Sequence, residues 1–92
     1  MAKEFTVDIV SPEGLAWSGE ATFVVARTPD GEIGIMADHE AVMAALVQGK
    51  VGVDAADGSR TTIDVDGGFL QVLDNQVTLI TDRAVIESAD AR

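Results

Sequence analysis

"KVGVDAADGSRTTIDVDGGFLQVLDNQVTLITDR", residues 50–83, decides the fold. Apolar residues recur at or near every second position in KVGVDA, RTTIDVD, GFLQVLD and VTLITDR, the period of strands with one buried face. ADGS puts Asp57-Gly58 between the first two runs, a hairpin signal, and NQ separates the last two as a second hairpin.

The rhythm continues outward from there. In EFTVDIV, Phe5, Val7 and Ile9 point one way while Thr6 and Asp8 point the other. SPEG (11–14) is a turn, LAWSGE a short second strand, and ATFVVAR (21–27) a third, rich in β-branched and aromatic residues. TPDG (28–31) has proline second and glycine fourth, a type I turn pattern, and leads into EIGI. HEAVMAALVQ (39–48) has the Ala and Met content of a helix, but its place between strand pairs and the QGK turn after it make it a strand. AVIE closes the set. The expectation is an all-β, single-domain, about ten-stranded β-sandwich over residues 1–87, with a short C-terminal tail at 88–92.

Composition narrows the function. A chain of 92 residues buries about 60–65% of its unfolded surface, so its core is modest. Phe5, Phe23 and Phe69 are expected as the largest fillers of a Val, Ile, Leu and Ala interior. The formal charge of −10 argues against nucleic acid and against an anionic membrane surface, both of which need clustered Lys and Arg. It suits either a basic protein surface or simple solubility. There is no cysteine, so disulfide, thiolate-metal and cysteine chemistry drop out. No apolar run approaches the roughly 20 residues of a bilayer span, and MAKEFTVDIV lacks a signal-peptide core, so a cytoplasmic location without direct membrane insertion is expected.

Candidate chemistry is thin. His39 lies between Asp38 and Glu40, but one histidine without cysteine is a poor zinc set, and DVDGG is only a fragment of a calcium loop. No serine sits in a G-x-S-x-G elbow, so His39 reads as a structural or contact residue rather than a base. Gly67-Gly68 precedes a strand, which favours a bulge or close backbone approach over a phosphate cradle. Trp17 fits a core cap or an interface anchor equally, and Met36 and Met43 fit gap-filling better than contact. The loop at 28–40 differs. Gly34 removes a side chain between Ile33 and Ile35, where another group can come close, and Asp30, Glu32, Asp38, His39 and Glu40 surround it with a mostly acidic set. No catalytic residue, metal or cofactor is expected.

The segments GEIGIMADHEAVMAALVQGKV and DVDGGFLQVLDNQVTLITDRA, with VDIVSPEGLAWSGEA at the start, resemble the epsilon subunit of F-type ATP synthase. The first matches the family pattern G-E-(I/L)-G-I, then a histidine and a run of small and apolar residues. The second matches G-G-(I/F)-(L/V)-x-V followed by x-N-x-V-T. The resemblance covers nearly the whole chain in order. It implies a ten-stranded sandwich with no active site, held in the central stalk between the gamma subunit and the c-ring. It makes the chain a rotor part that couples proton-driven ring rotation to ATP synthesis, peripheral on the cytoplasmic face of the bacterial cell membrane. Asp30, Gly31 and Glu32 are then expected to contact the polar loops of the c-ring, with His39 at the same end. Trp17, Gly68 and Phe69 are candidates for the gamma face. The family usually has Pro-Gly before the histidine where this chain has Ala37-Asp38, which implies a more flexible, more acidic approach to His39. The family continues past ESADAR into a helical hairpin that inhibits ATP hydrolysis, so hairpin-based inhibition is not expected here. The alternative is a lipoyl- or biotinyl-type carrier domain, which needs a lysine at a hairpin tip. NQ occupies that tip, and Lys50 sits in QGKV without the flanking pattern.

Overall fold

The computed structural model describes residues 3–90, which form nine strands and no helix. They are β1 (Phe5–Ser11), β2 (Gly14–Thr28), β3 (Gly31–Ile35), β4 (Val42–Leu46), β5 (Gly49–Ala55), β6 (Arg60–Val65), β7 (Gly68–Leu73), β8 (Gln76–Ile80) and β9 (Ala84–Asp90). The sheet runs β4-β7-β8-β1-β2-β5-β6-β9, with β3 paired to β2. The all-β sandwich expected from the alternation is therefore present. The count differs by one because LAWSGE and ATFVVAR are a single 15-residue strand.

That fusion follows from how β2 is used. β1 covers its first half as far as Phe5↔Ala21, and β3 covers its second half from Val24↔Ile35 to Thr28↔Gly31 along the same edge. β5 takes the other edge, from Ala21↔Ala55 to Val25↔Gly52, and the register shifts between Ala21 and Phe23. The expected division between Glu20 and Ala21 is absent, and both residues stay in the β1 ladder, opposite Thr6 and Phe5. Each half of β2 belongs to a different set of neighbours, and the rolled sheet closes again where Val47 N–H donates to the Arg27 carbonyl at 3.0 Å.

Alternation fills the interior. Phe5, Val7 and Ile9 of β1, Val51 and Val53 of β5, Ile63 and Val65 of β6, and Val77 and Leu79 of β8 are all buried. Each fully buried branched side chain contributes about 1.5–3 kcal/mol relative to exposure. Two of the three expected aromatic fillers behave otherwise. Phe69 is 58% exposed because the inward positions of β7 are Leu70 and Val72. Phe23 is half-buried, and its ring lies over Gly34, where an added Cβ would come within 3.1 Å of it. The close approach expected at Gly34 is that ring.

The turns follow their residue chemistry. Gly58, at φ 92°, donates to the Ala55 carbonyl in the Asp-Gly hairpin. The second hairpin is set one residue earlier than NQ implies. Leu73 pairs with Gln76, and Asp74 and Asn75 turn the chain at φ 49° and 61°, the signature of a type I′ turn. Lys50 is inside β5 rather than at a tip, and its Nζ meets the Glu87 carboxylate at 2.6 Å. Of the tail expected over 88–92, residues 88–90 continue β9, and residues 91 and 92 lie outside the described residues.

Candidate functional site

The acidic tip is built by the β2–β3 hairpin. Thr28 pairs with Gly31, leaving Pro29-Asp30 as a two-residue loop with Gly31 at φ 123°. The Thr28 hydroxyl accepts from the Asp30 N–H at 3.2 Å and donates to the Gly31 carbonyl at 2.8 Å, so one side chain braces both ends of the turn. Glu32 faces Arg27 across the ladder at a long 3.5 Å, in an exposed pair that contributes little. Among the described residues Asp30 has no ion-pair partner. Asp30, Gly31 and Glu32 are thus brought together on an exposed projection.

His39 is not brought to that tip. Between the two lies the whole of β3, which spans roughly 15 Å at its usual rise per residue. Beyond β3, His39 N–H donates to the Met36 carbonyl at 3.3 Å, closing a turn in which Asp38 has φ 64°. A positive φ at the third position is the pattern of a type II turn. The Asp38 N–H donates to Asn75 Oδ1 at 2.6 Å, and Asp38 Oδ1 accepts from Asn75 Nδ2 at 3.0 Å. Lys3 Nζ reaches both Asp38 oxygens at 2.9 Å. The Asn75 amide, and after it Lys3, hold the Asp38 carboxyl below its ordinary range. His39 Nδ1 lies 2.8 Å from the Glu40 carbonyl, within reach of a local donor bond. The approach to His39 is therefore acidic, as expected, and it is tied to the β7–β8 hairpin and to Lys3.

The three residues suggested for a partner face separate into two groups. Trp17 stands opposite buried Ile9 and packs against the core, with its ring over Gly19. Gly68 has φ 110°, and a Cβ there would overlap the Ile80 carbonyl, so it serves the close backbone approach read from Gly67-Gly68. Only Phe69 presents a side chain outward.

Phe69 belongs to a larger surface. It pairs with Ala45 of β4 on one side and Ile80 of β8 on the other. Ile80 aligns with Val10 of β1, and Val10 pairs with Leu15 of β2. An apolar row thus crosses five strands, about 19 Å at the usual strand spacing. Leu15 is 62%, Phe69 58% and Ile80 56% exposed, and Met43 stands two positions along β4 from Ala45 on the same outer face. A contiguous row of this kind is the mark of an interaction surface. The sequence carries its signal in GFLQVL and VTLI, where the outward phase contains Phe69, Leu73 and Ile80 as well as the inward phase being apolar.

Residues 4–87 match the family described as the ATP synthase, Delta/Epsilon chain, beta-sandwich domain. The chain is similar to the ATP synthase epsilon chain of Corynebacterium efficiens, at 44% identity over 93 residues, covering 96% of this chain and 75% of that one. It is similar to the Streptomyces avermitilis epsilon chain at 40% identity, covering 98% of this chain and 71% of the other. Among solved structures it superposes on a chain of the Euglena gracilis mitochondrial ATP synthase OSCP/F1/c-ring assembly with a TM-score of 0.85 and 25% identity, covering 90% of this chain and 53% of that one. A chain of the Tetrahymena thermophila central stalk and c-ring shares the fold, with a TM-score of 0.74 at 15% identity.

Proposed function

The chain belongs to the ATP synthase delta/epsilon β-sandwich family, and from that premise we propose that it is a non-catalytic central-stalk subunit of an F-type ATP synthase. It joins the gamma subunit to the c-ring, so that ring rotation driven by protons is passed to the catalytic head. Its place is with the membrane-associated part of the complex, on the cytoplasmic face of the bacterial membrane, held there by protein contacts.

The observation that carries this reading is the uncovered apolar row through Leu15, Val10, Ile80 and Phe69 in a member of that family. Gamma covers this face. Phe69 is its largest side chain, while Trp17 and Gly68 support it from within. The tip residues Asp30, Gly31 and Glu32 project from the hairpin and meet the polar loops of the ring, where two carboxylates favour a basic partner. His39 lies away from that contact. A rotor joint needs a rigid body, and a sheet with 16 buried apolar residues in one core answers that need.

Co-expression with the cognate gamma subunit followed by size-exclusion chromatography tests the proposal. A one-to-one complex is expected. Two folded chains that elute separately would overturn it. In the assembled enzyme, Glu32→Lys is expected to weaken proton coupling while leaving the gamma complex intact.

A further inference from the structure

We propose that the open edge of β3 receives an extended segment of the gamma subunit by strand addition, a step that rests on the stalk reading and goes beyond the apolar face. Among the described residues β3 pairs only with β2. Counting from the closing pair Thr28↔Gly31, the antiparallel ladder makes Arg27↔Glu32 and Val25↔Gly34 the pairs without mutual hydrogen bonds. The N–H and C=O of Glu32 and Gly34 therefore point away from β2, to an edge with no strand beyond it.

That edge is accessible and shaped. No Cα of β3 lies within 8 Å of any Cα of β4, so β4 does not block it. Between them is a cleft of about 510 Å³, lined by Pro29, Ile33, Met43, Ala44 and Ala45 with Asp30 and Glu32 on its rim. An added strand sends alternate side chains to one side, so apolar residues would enter the cleft over Ile33 and Met43. The Phe23 ring lies over one face of Gly34, and Gly34 remains exposed.

The occupant is gamma because the cleft is continuous with the apolar row. Met43 and Ala45 line the cleft, and Ala45 pairs directly with Phe69. A second copy of this chain is the wrong partner, since a net charge of −10 sets acid against acid.

The test is amide exchange, read residue by residue by NMR, on the chain alone and in its purified complex with gamma. The Glu32 and Gly34 amides are expected to exchange rapidly alone and at least tenfold more slowly in the complex. A complex that forms while both amides still exchange at the free rate overturns strand addition and leaves the stalk reading standing. Absence of any complex overturns both. Slowed exchange that appears in the chain alone as its concentration is raised assigns the edge to a second copy and overturns gamma as the occupant.

Discussion

Gly68→Ala should destabilise the domain far more than Gly14→Ala, although both glycines have similar backbones. Gly68 has φ 110° and Gly14 has φ 124°, a region that costs a side-chain-bearing residue about 1–3 kcal/mol. Around Gly14 there is nothing within 4 Å of an added Cβ, so strain is its whole cost. At Gly68 the same Cβ would overlap the Ile80 carbonyl and press on the Thr81 Cα at 2.8 Å. These are backbone atoms, so no rotamer change relieves them, and β8 must shift within a ladder shared with β7 and β1. Overpacking of this kind adds about 1–3 kcal/mol. Gly68→Ala is thus expected to cost about 2–6 kcal/mol, a large share of the roughly 5–15 kcal/mol available to a small domain. The difference between the two variants, about 1–3 kcal/mol, corresponds to about 4–8 °C in Tm for each kcal/mol. Urea titration followed by the fluorescence of Trp17, the one tryptophan, measures both. Equal costs for the two variants would refute the steric argument and return Gly68 to the surface as a contact residue.

Three further outcomes are expected. Ala37→Pro should stabilise by about 0.4–1 kcal/mol, because Ala37 precedes the positive-φ residue of a type II pattern and proline restricts the unfolded chain there; a loss of stability on thermal melting would contradict the turn assignment. Asp38 has its carboxyl held below the ordinary 3.8 by Asn75 first and Lys3 second, so its contribution is present above that value and fades as pH falls through the lowered one. Asn75→Gly keeps the turn and removes the amide, so its stability deficit should shrink as pH is taken from about 4 toward 2; a deficit that stays constant with pH would show that the amide does not act through the carboxyl. Phe69→Ala should change stability by no more than about 0.5 kcal/mol, since the ring is 58% exposed, yet weaken the gamma complex about tenfold or more. Unchanged affinity by calorimetry would remove Phe69 from that interface.

Strands were legible because one buried face imposes a period of two, and Val51, Val53, Ile63, Val65, Val77 and Leu79 obey it without exception. Strand endings were less legible. The division expected after LAWSGE is absent, and Gly19 near it is tolerated inside the ladder because the Trp17 ring fills its space. The phase of β7 was misread at Phe69 because both phases of GFLQVL are apolar, and size alone favoured the ring as core. That double apolarity was the signal of an apolar outer face. Its extent could not be read from sequence, since Val10, Leu15 and Ile80 align only through the β1–β8 and β1–β2 registers.

The turn before His39 shows why local chemistry and local geometry have to be argued separately. In the family this chain belongs to, the expected Pro-Gly pair is itself a type II signal, with proline fixing the second position and glycine taking positive φ at the third. Ala37-Asp38 has neither property, and flexibility is the natural inference from the dipeptide alone. Asp38 nevertheless has φ 64°, and the Met36 to His39 bond is made. Aspartate tolerates this conformation better than most residues, and here its N–H and carboxylate are both engaged by Asn75, with Lys3 on the outer side. Asn75 is in position to do so because the type I′ turn of the β7–β8 hairpin holds it at φ 61°. The geometry that Pro-Gly would supply from within the turn is supplied from across the fold, by Asn75, 37 positions away in sequence. Such a turn depends on tertiary structure, so it should loosen when the β7–β8 hairpin does, whereas a Pro-Gly turn would persist.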